Sequence, residues 1–216
     1  MNMSLMLLSL PPILLALSFH EFAHGYVAFR LGDPTAKDAG RLTLNPLAHL
    51  DPVGTIMIVL VHFGWAKPVP VNPYYLQDPK KDMLKIALAG PVSNMIMAFG
   101  FGLIIRALVA IGMHPDGSFF GLFMYMLYFG VMINLVLAVF NLIPVPPLDG
   151  SKILYGMLPP EYEESYLRFE QMGPMVLLGL VLLNSFAGIP VFSWLITPFV
   201  SIFSSLFVGT DLTSLF

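Results

Sequence analysis

The sequence predicts an all-α polytopic membrane protein, a bundle of about four to six transmembrane helices with a re-entrant or short β element after the first helix. Three observations predict it. Of 216 residues, 57% are hydrophobic and only 11% charged, with a mean hydropathy of +0.81, more oil than a soluble domain of this length needs. Several apolar stretches reach the ~20 residues a helical span requires. Between the first two long ones lies a short, proline-rich stretch with alternating character. The length fits one domain, 1–216, with little left for a regulatory appendage. With no cysteine there is neither disulfide nor thiolate metal site, and a net charge of −3 gives no argument for nucleic acid.

The first apolar segment runs from about Met3 to Leu31, with no Lys or Arg before Arg30. Pro11-Pro12 predicts a kink or a first-turn start, and Gly32-Asp33-Pro34 a stop. Lacking a basic leader and a small-residue cleavage site, it reads as a retained helix. A polar stretch, Thr35 to Asp51, precedes an apolar run from Pro52 to Phe63 that is half the length of a span and reads as re-entrant or interfacial. Gly64 to Pro73 holds Pro68, Pro70 and Pro73 and reads as extended backbone. Two full spans follow, about Met83 to Met113 and Phe119 to Ile143, joined by a turn at His114 to Ser118. A polar stretch with Glu161, Glu163, Glu164, Arg168 and Glu170 then leads to a last apolar region, Pro174 to Val208. Gly188-Ile189-Pro190 breaks that region into one kinked helix or two short ones.

Seven of the ten Lys and Arg (Arg30, Lys37, Arg41, Lys67, Lys80, Lys81, Lys85) fall between the first span and the second, which places that connection in the cytoplasm by the positive-inside rule. Lys152 and Arg168 agree if Pro52 to Phe63 does not cross. Arg106 is the exception, expected to snorkel near the far end of its helix.

Two polar constellations interrupt these apolar segments. His20-Glu21-Phe22-Ala23-His24 puts two imidazoles four apart on one helical face, within reach of one zinc ion, and a carboxylate one step round, within reach of a water on that ion. At the end of the third span stands Asn141-Leu142-Ile143-Pro144-Val145-Pro146-Pro147-Leu148-Asp149-Gly150. An ionised Asp at the edge of an apolar span costs several kcal/mol unless paired or metal-bound, and the prolines break the helix so that the chain can face a cavity. If the first and third spans both run toward the cytoplasm, His20, His24 and Asp149 emerge at one depth. A crossing at Pro52 to Phe63 would instead send Asp149 to the opposite side.

Together these motifs resemble the site-2 protease family of intramembrane zinc metalloproteases. Further resemblance lies in Asn45-Pro46 through His49-Leu50-Asp51-Pro52-Val53-Gly54-Thr55, in Gly64-Trp65-Ala66-Lys67-Pro68-Val69, and in Ala89-Gly90-Pro91-Val92-Ser93-Asn94. These blocks are similar to those of short bacterial and archaeal members without PDZ or CBS domains. The resemblance spans roughly residues 13 to 155. It implies His20, His24 and Asp149 as ligands of one Zn2+ per chain, and Glu21 as general base. It also implies an endopeptidase acting within or beside transmembrane segments of other proteins, in a prokaryotic plasma membrane with the site toward the cytoplasm. Asn141, and Asn94 with it, are candidates for holding substrate backbone or the developing oxyanion. Ala66, Lys67, Val69 and Val71 are candidates for docking an unwound substrate by strand addition. The expected partners are membrane-protein substrates and the bilayer, with self-association left open.

Blander readings accompany each residue. Asp149 can cap a helix or pair with Lys152, Asn94 can be a packing residue, and Asn141 can cap its own helix. His49, His62 and His114 read as interfacial or loop residues, and Glu161 to Glu170 as a solvated amphipathic stretch near enough to gate the site. Two other functions compete. A membrane zincin of another lineage would take a third ligand from the Glu161 to Glu170 cluster; a metal-ion transporter or a non-catalytic substrate-binding relative would use the buried His and Asp to ligate an ion, and a transporter would need a polar path through both leaflets, of which the second and third spans show little.

Overall fold

The computed structural model describes residues 3–61, 64–116 and 118–213, so the expectations for His62 and for the end of the apolar run at Phe63 lie outside the described residues. The chain is built of helices. α1 (Met3–Arg30) runs through Pro11-Pro12, and its 28 residues extend about 42 Å at the ~1.5 Å rise of a helix. Gly32 stops it at φ +107, with the Gly32 N–H on Phe29 O and the Asp33 N–H on Ala28 O, the paired bonds that satisfy the last free carbonyls of a helix. After the single turn α2 (Thr35–Asp38) comes α3 (Pro52–Val61), whose 10 residues give about 15 Å, half the thickness of a bilayer core.

α4 (Pro79–Ala110) and α5 (Phe119–Asn141) form the expected hairpin, each started by a side-chain cap: Asp78 accepts from Lys81 N, and Ser118 from Gly121 N. α6 (Asp149–Met157) is short, and the last apolar region resolves into two helices, α7 (Glu163–Phe186) and α8 (Val191–Val208). Gly188 at φ +66 followed by Pro190 separates them, because neither residue continues a helix there. Among the described residues four helical stretches are long and apolar enough to cross a membrane: Pro79–Ala110, Phe119–Asn141, Pro160–Phe186 and Val191–Val208.

α4 is the central helix, packed against α1, α5, α6 and α8. The larger core lies where Ala98 and Ile105 of α4 meet Met124, Val131 and Leu135 of α5 and Val200 of α8. Arg106 belongs to this half of the molecule and does not act as a free snorkelling cation. Its guanidinium donates to Phe207 O (2.8 Å) and Leu206 O (2.7 Å), capping the carbonyl end of α8. At the other end of α4, Lys80 donates to Leu158 O and pairs with Glu163, tying α4 to the start of α7.

The short β element is corrected to a single bridge. Among the described residues there is no strand; Leu50 and Ala66 form an isolated antiparallel bridge, with the Lys67 N–H donating to His49 O at 2.8 Å. The pairing cannot propagate because Pro68 and Pro70 carry no N–H, and the amide between them, Val69 N–H, is spent on a side chain.

Candidate metal centre

The polar motif on α1 faces α4, and the first residue of α6 meets it there. His20 Nε2 and His24 Nε2 lie 3.0 Å apart, and each is 3.1 Å from Asp149 Oδ2. The two histidines are close because they are one helical turn apart. Asp149 is close because of Gly150: a Cβ there would collide with the carbonyl oxygens of Leu142 and Ile143, so only glycine lets α6 begin tight against the end of α5. All three side chains are buried. The three residues grouped from the sequence thus lie together in space.

The residues present fit a zinc ion. Two imidazoles and a carboxylate are an N/O donor set for tetrahedral zinc, whose ~2.0–2.1 Å bonds need donors about 3.3 Å apart. Space is kept for the ion by Gly90 on α4, where a Cβ would collide with His24 Nε2 and come within 2.6 Å of His20 Nε2. His24 Nδ1 is 2.7 Å from Ile86 O. A carbonyl only accepts, so Nδ1 carries the proton and Nε2 presents its lone pair to the site.

The three residues line a cavity of about 330 Å3 together with Glu21 and Asn141. Apolar walls come from Leu17 of α1, Met83 and Ile86 of α4, Leu137 and Phe140 of α5, and Leu177 of α7. Asn141 lines the cavity and donates one amide hydrogen back to Leu137 O of its own helix (3.0 Å). Ala66, Val69 and Val71 also line the cavity, whereas Lys67 does not. Val69 seats its Cγ1 over Gly25 of α1, where an added Cβ would meet it at 3.1 Å.

Segment 66–72 is held across the mouth by side chains. Val69 N–H donates to Glu21 Oε2 (2.8 Å), Arg41 Nη2 to Lys67 O (2.7 Å), and Asn72 N–H to Asp33 Oδ2 (2.7 Å). Asp33 is fully buried and also accepts from Thr35 N–H. Neither Asp33 nor Arg41 was singled out from the sequence for this work. A carboxylate just past a helix end reads as a turn former, and only its burial reveals the second partner.

Asn94 does not face the cavity. It is buried where α1, α4 and α5 meet, with Oδ1 2.6 Å from His20 Nδ1. His49 is buried beneath the bridge, its Nε2 on Thr43 O, and Glu163 and Glu164 are paired with Lys80 and Arg168, so none of these joins the histidine cluster. Among the described residues the group His20, His24 and Asp149 is the one set of three or more such side chains close enough to share an ion. Gly90 and Asn134 were assigned no role from the sequence. Asn134 had a legible signal, an amide in the middle of an otherwise apolar span.

The chain is similar in sequence to known proteins. Residues 108–184, which include Asp149, match Peptidase family M50. The chain is 43% identical over 169 residues to the Bacillus subtilis protein named "Putative zinc metalloprotease YwhC", covering 78% of this chain and 77% of that one. It is 29% identical over 175 residues to "Putative zinc metalloprotease Rip2" of Mycolicibacterium smegmatis, covering 78% of this chain and 64% of that one. To "Putative zinc metalloprotease MJ0611" of Methanocaldococcus jannaschii it is 33% identical over 136 residues, 63% of each chain. No solved structure matches.

Proposed function

The chain belongs to Peptidase family M50, the site-2 protease family of zinc metalloproteases, and from that premise we propose that it is an intramembrane endopeptidase cutting peptide bonds within or next to transmembrane segments of other membrane proteins. The observation that carries this reading is the convergence of His20, His24 and Asp149 beside Glu21 in an apolar-walled cavity. The cavity is bounded by α4, α5 and α7, three of the helical stretches able to cross a membrane.

His20, His24 and Asp149 would hold one zinc ion per chain. When bound, zinc polarises the scissile carbonyl as a Lewis acid and lowers the pKa of water to about 7. Glu21 takes the proton of the attacking water and delivers it to the leaving amine, so that one C–N bond is broken and one C–O bond formed. The Val69 N–H on Oε2 fixes the carboxylate and leaves Oε1 for that proton. The free amide hydrogen of Asn141 reaches the developing oxyanion or the substrate backbone. A transmembrane helix must unwind before it can be cut, and segment 66–71 lies where an unwound stretch would run. With Lys67 N–H and Val69 N–H already engaged and proline at 68 and 70, this edge offers mainly carbonyl oxygens, so the substrate supplies the N–H groups. The basic connection from α1 to α4 supports a site near the cytoplasmic face, and the bacterial and archaeal relatives support a prokaryotic plasma membrane.

The test follows cleavage of a panel of single-span substrates by purified wild type and Glu21→Gln, each with and without a zinc chelator. Cleavage by wild type alone, abolished by chelation while Glu21→Gln keeps its zinc, is the expected result. Cleavage that persists in Glu21→Gln or under chelation overturns the assignment.

A further inference from the structure

Behind His20 runs a chain of buried amides that none of the chemistry above uses. Asn94 of α4 and Asn134 of α5 are both fully buried in the apolar interior. Such groups are costly unless hydrogen-bonded, and both the amide nitrogen and the amide oxygen of each have a partner. Asn134 Nδ2 donates to Gly130 O (2.8 Å), Asn94 Nδ2 lies 2.7 Å from Asn134 Oδ1 and 3.1 Å from Ala16 O, and Asn94 Oδ1 lies 2.6 Å from His20 Nδ1.

The two backbone carbonyls settle every orientation in the chain. Gly130 O and Ala16 O accept only, so the amide nitrogens of Asn134 and Asn94 must face them, and each amide oxygen is turned to the next link. The atom that reaches His20 is therefore an oxygen, and His20 Nδ1 must carry the proton. With His24 Nδ1 likewise on Ile86 O, the neutral rings bring two Nε2 lone pairs and an Asp149 oxygen together with no hydrogen among them. A cation satisfies that arrangement. In the other tautomer His20 Nε2–H would donate to Asp149 Oδ2, 3.1 Å away, and the cluster would satisfy itself.

We infer that Asn94 and Asn134 are a two-residue positioning relay that holds His20 in its metal-binding tautomer and so keeps the cluster from closing on itself without an ion. This rests on the zinc protease reading of the same residues. It gives Asn94 a place behind the ligand instead of at the substrate, and it brings in α5, which supplies no ligand.

The test reads the tautomer and the affinity separately from proteolysis. Protein with 15N-labelled histidine is studied by NMR without metal, and Zn2+ and Co2+ affinities are measured by chelator competition for wild type, Asn94→Leu, Asn94→Asp and Asn134→Leu. Wild type should show the Nδ1–H form at His20. Asn94→Leu should shift toward Nε2–H and bind Zn2+ about 10–100-fold more weakly, the usual loss for a partner behind a ligand. Asn94→Asp, whose oxygen still accepts from Nδ1–H whether or not it is protonated, should stay within about threefold of wild type. Asn134→Leu should fall between them, because Ala16 O still orients Asn94. The Co2+ absorption spectrum and the metal-free melting temperature separate loss of ligand geometry from loss of fold. Unchanged tautomer and affinity in a folded Asn94→Leu protein overturns the relay and leaves the protease reading standing. Absence of Zn2+ binding in wild type overturns both.

Discussion

The metal cluster and the segment beside it line one cavity, yet they are held by opposite means. The ligands stand on or at the start of helices, and the atoms behind the histidines are fixed by backbone carbonyls and buried amides. Segment 66–72 has one bridge to the rest of the backbone and is otherwise moored by Glu21, Asp33 and Arg41, three side chains distant in sequence. The difference fits the roles proposed for each. An ion needs donors fixed to tenths of an ångström, whereas an unwound peptide of varying sequence needs a rail that adapts. The general base belongs to both regions, since Glu21 stands between the two ligands in sequence and is bonded to the rail in space.

Substitutions at three positions test this contrast, beginning with the largest effect. Gly90→Ala drives a methyl group into the space between the two Nε2 atoms. Relief of that overlap costs up to about 3 kcal/mol, so the Zn2+ dissociation constant should rise roughly 100-fold, measured by chelator competition, while the rail and the helix content stay intact. Full zinc affinity in Gly90→Ala would show the centre to be as adaptable as the rail.

Val69→Pro removes the N–H that Glu21 Oε2 accepts without touching a ligand. A hydrogen bond to a charged group contributes about 1.5–3 kcal/mol, so kcat on a single-span substrate should fall roughly 10–100-fold at unchanged zinc content. Val69→Ala keeps the N–H and should retain most of the turnover. An equal loss in both would mean that packing over Gly25, not the bond to the base, is what this residue supplies.

Asp33→Asn should have the smallest effect on the chemistry. It sets an amide against Asn72 N–H in a buried site, at a cost of about 1–3 kcal/mol. The melting temperature should drop and KM rise several-fold, with zinc content and kcat close to wild type. A fall in zinc content would show that the rail and the centre form one unit and would remove the contrast.

Much of this was legible along the chain. The four-residue spacing of His20 and His24 follows from helix geometry alone, and loop charge with span length brought Asp149 to the same depth. The caps Asp78 and Ser118 and the stop at Gly32 likewise act within a few residues of where they stand. The misreadings concern partners far apart in sequence. The alternation from Ala66 to Val71 looked like a strand, but a strand needs a neighbour with free ladder groups, and the neighbour here is a carboxylate. Arg106 looked like a lone cation until α8 folded its carbonyl end against it, 100 residues away in sequence.

The sequence by itself determined the apolar helices, the membrane class of the protein, the His-Glu-His face and the break that carries Asp149, because each rests on short-range geometry or on summed hydrophobicity. The tertiary structure alone decided that Gly90 leaves the space between the histidines, that Asn94 looks inward to His20 and Asn134, and that Val69 bonds the base. Those contacts cross helix interfaces, where the facing residue depends on the rotation and depth at which each helix packs, and no local pattern encodes either.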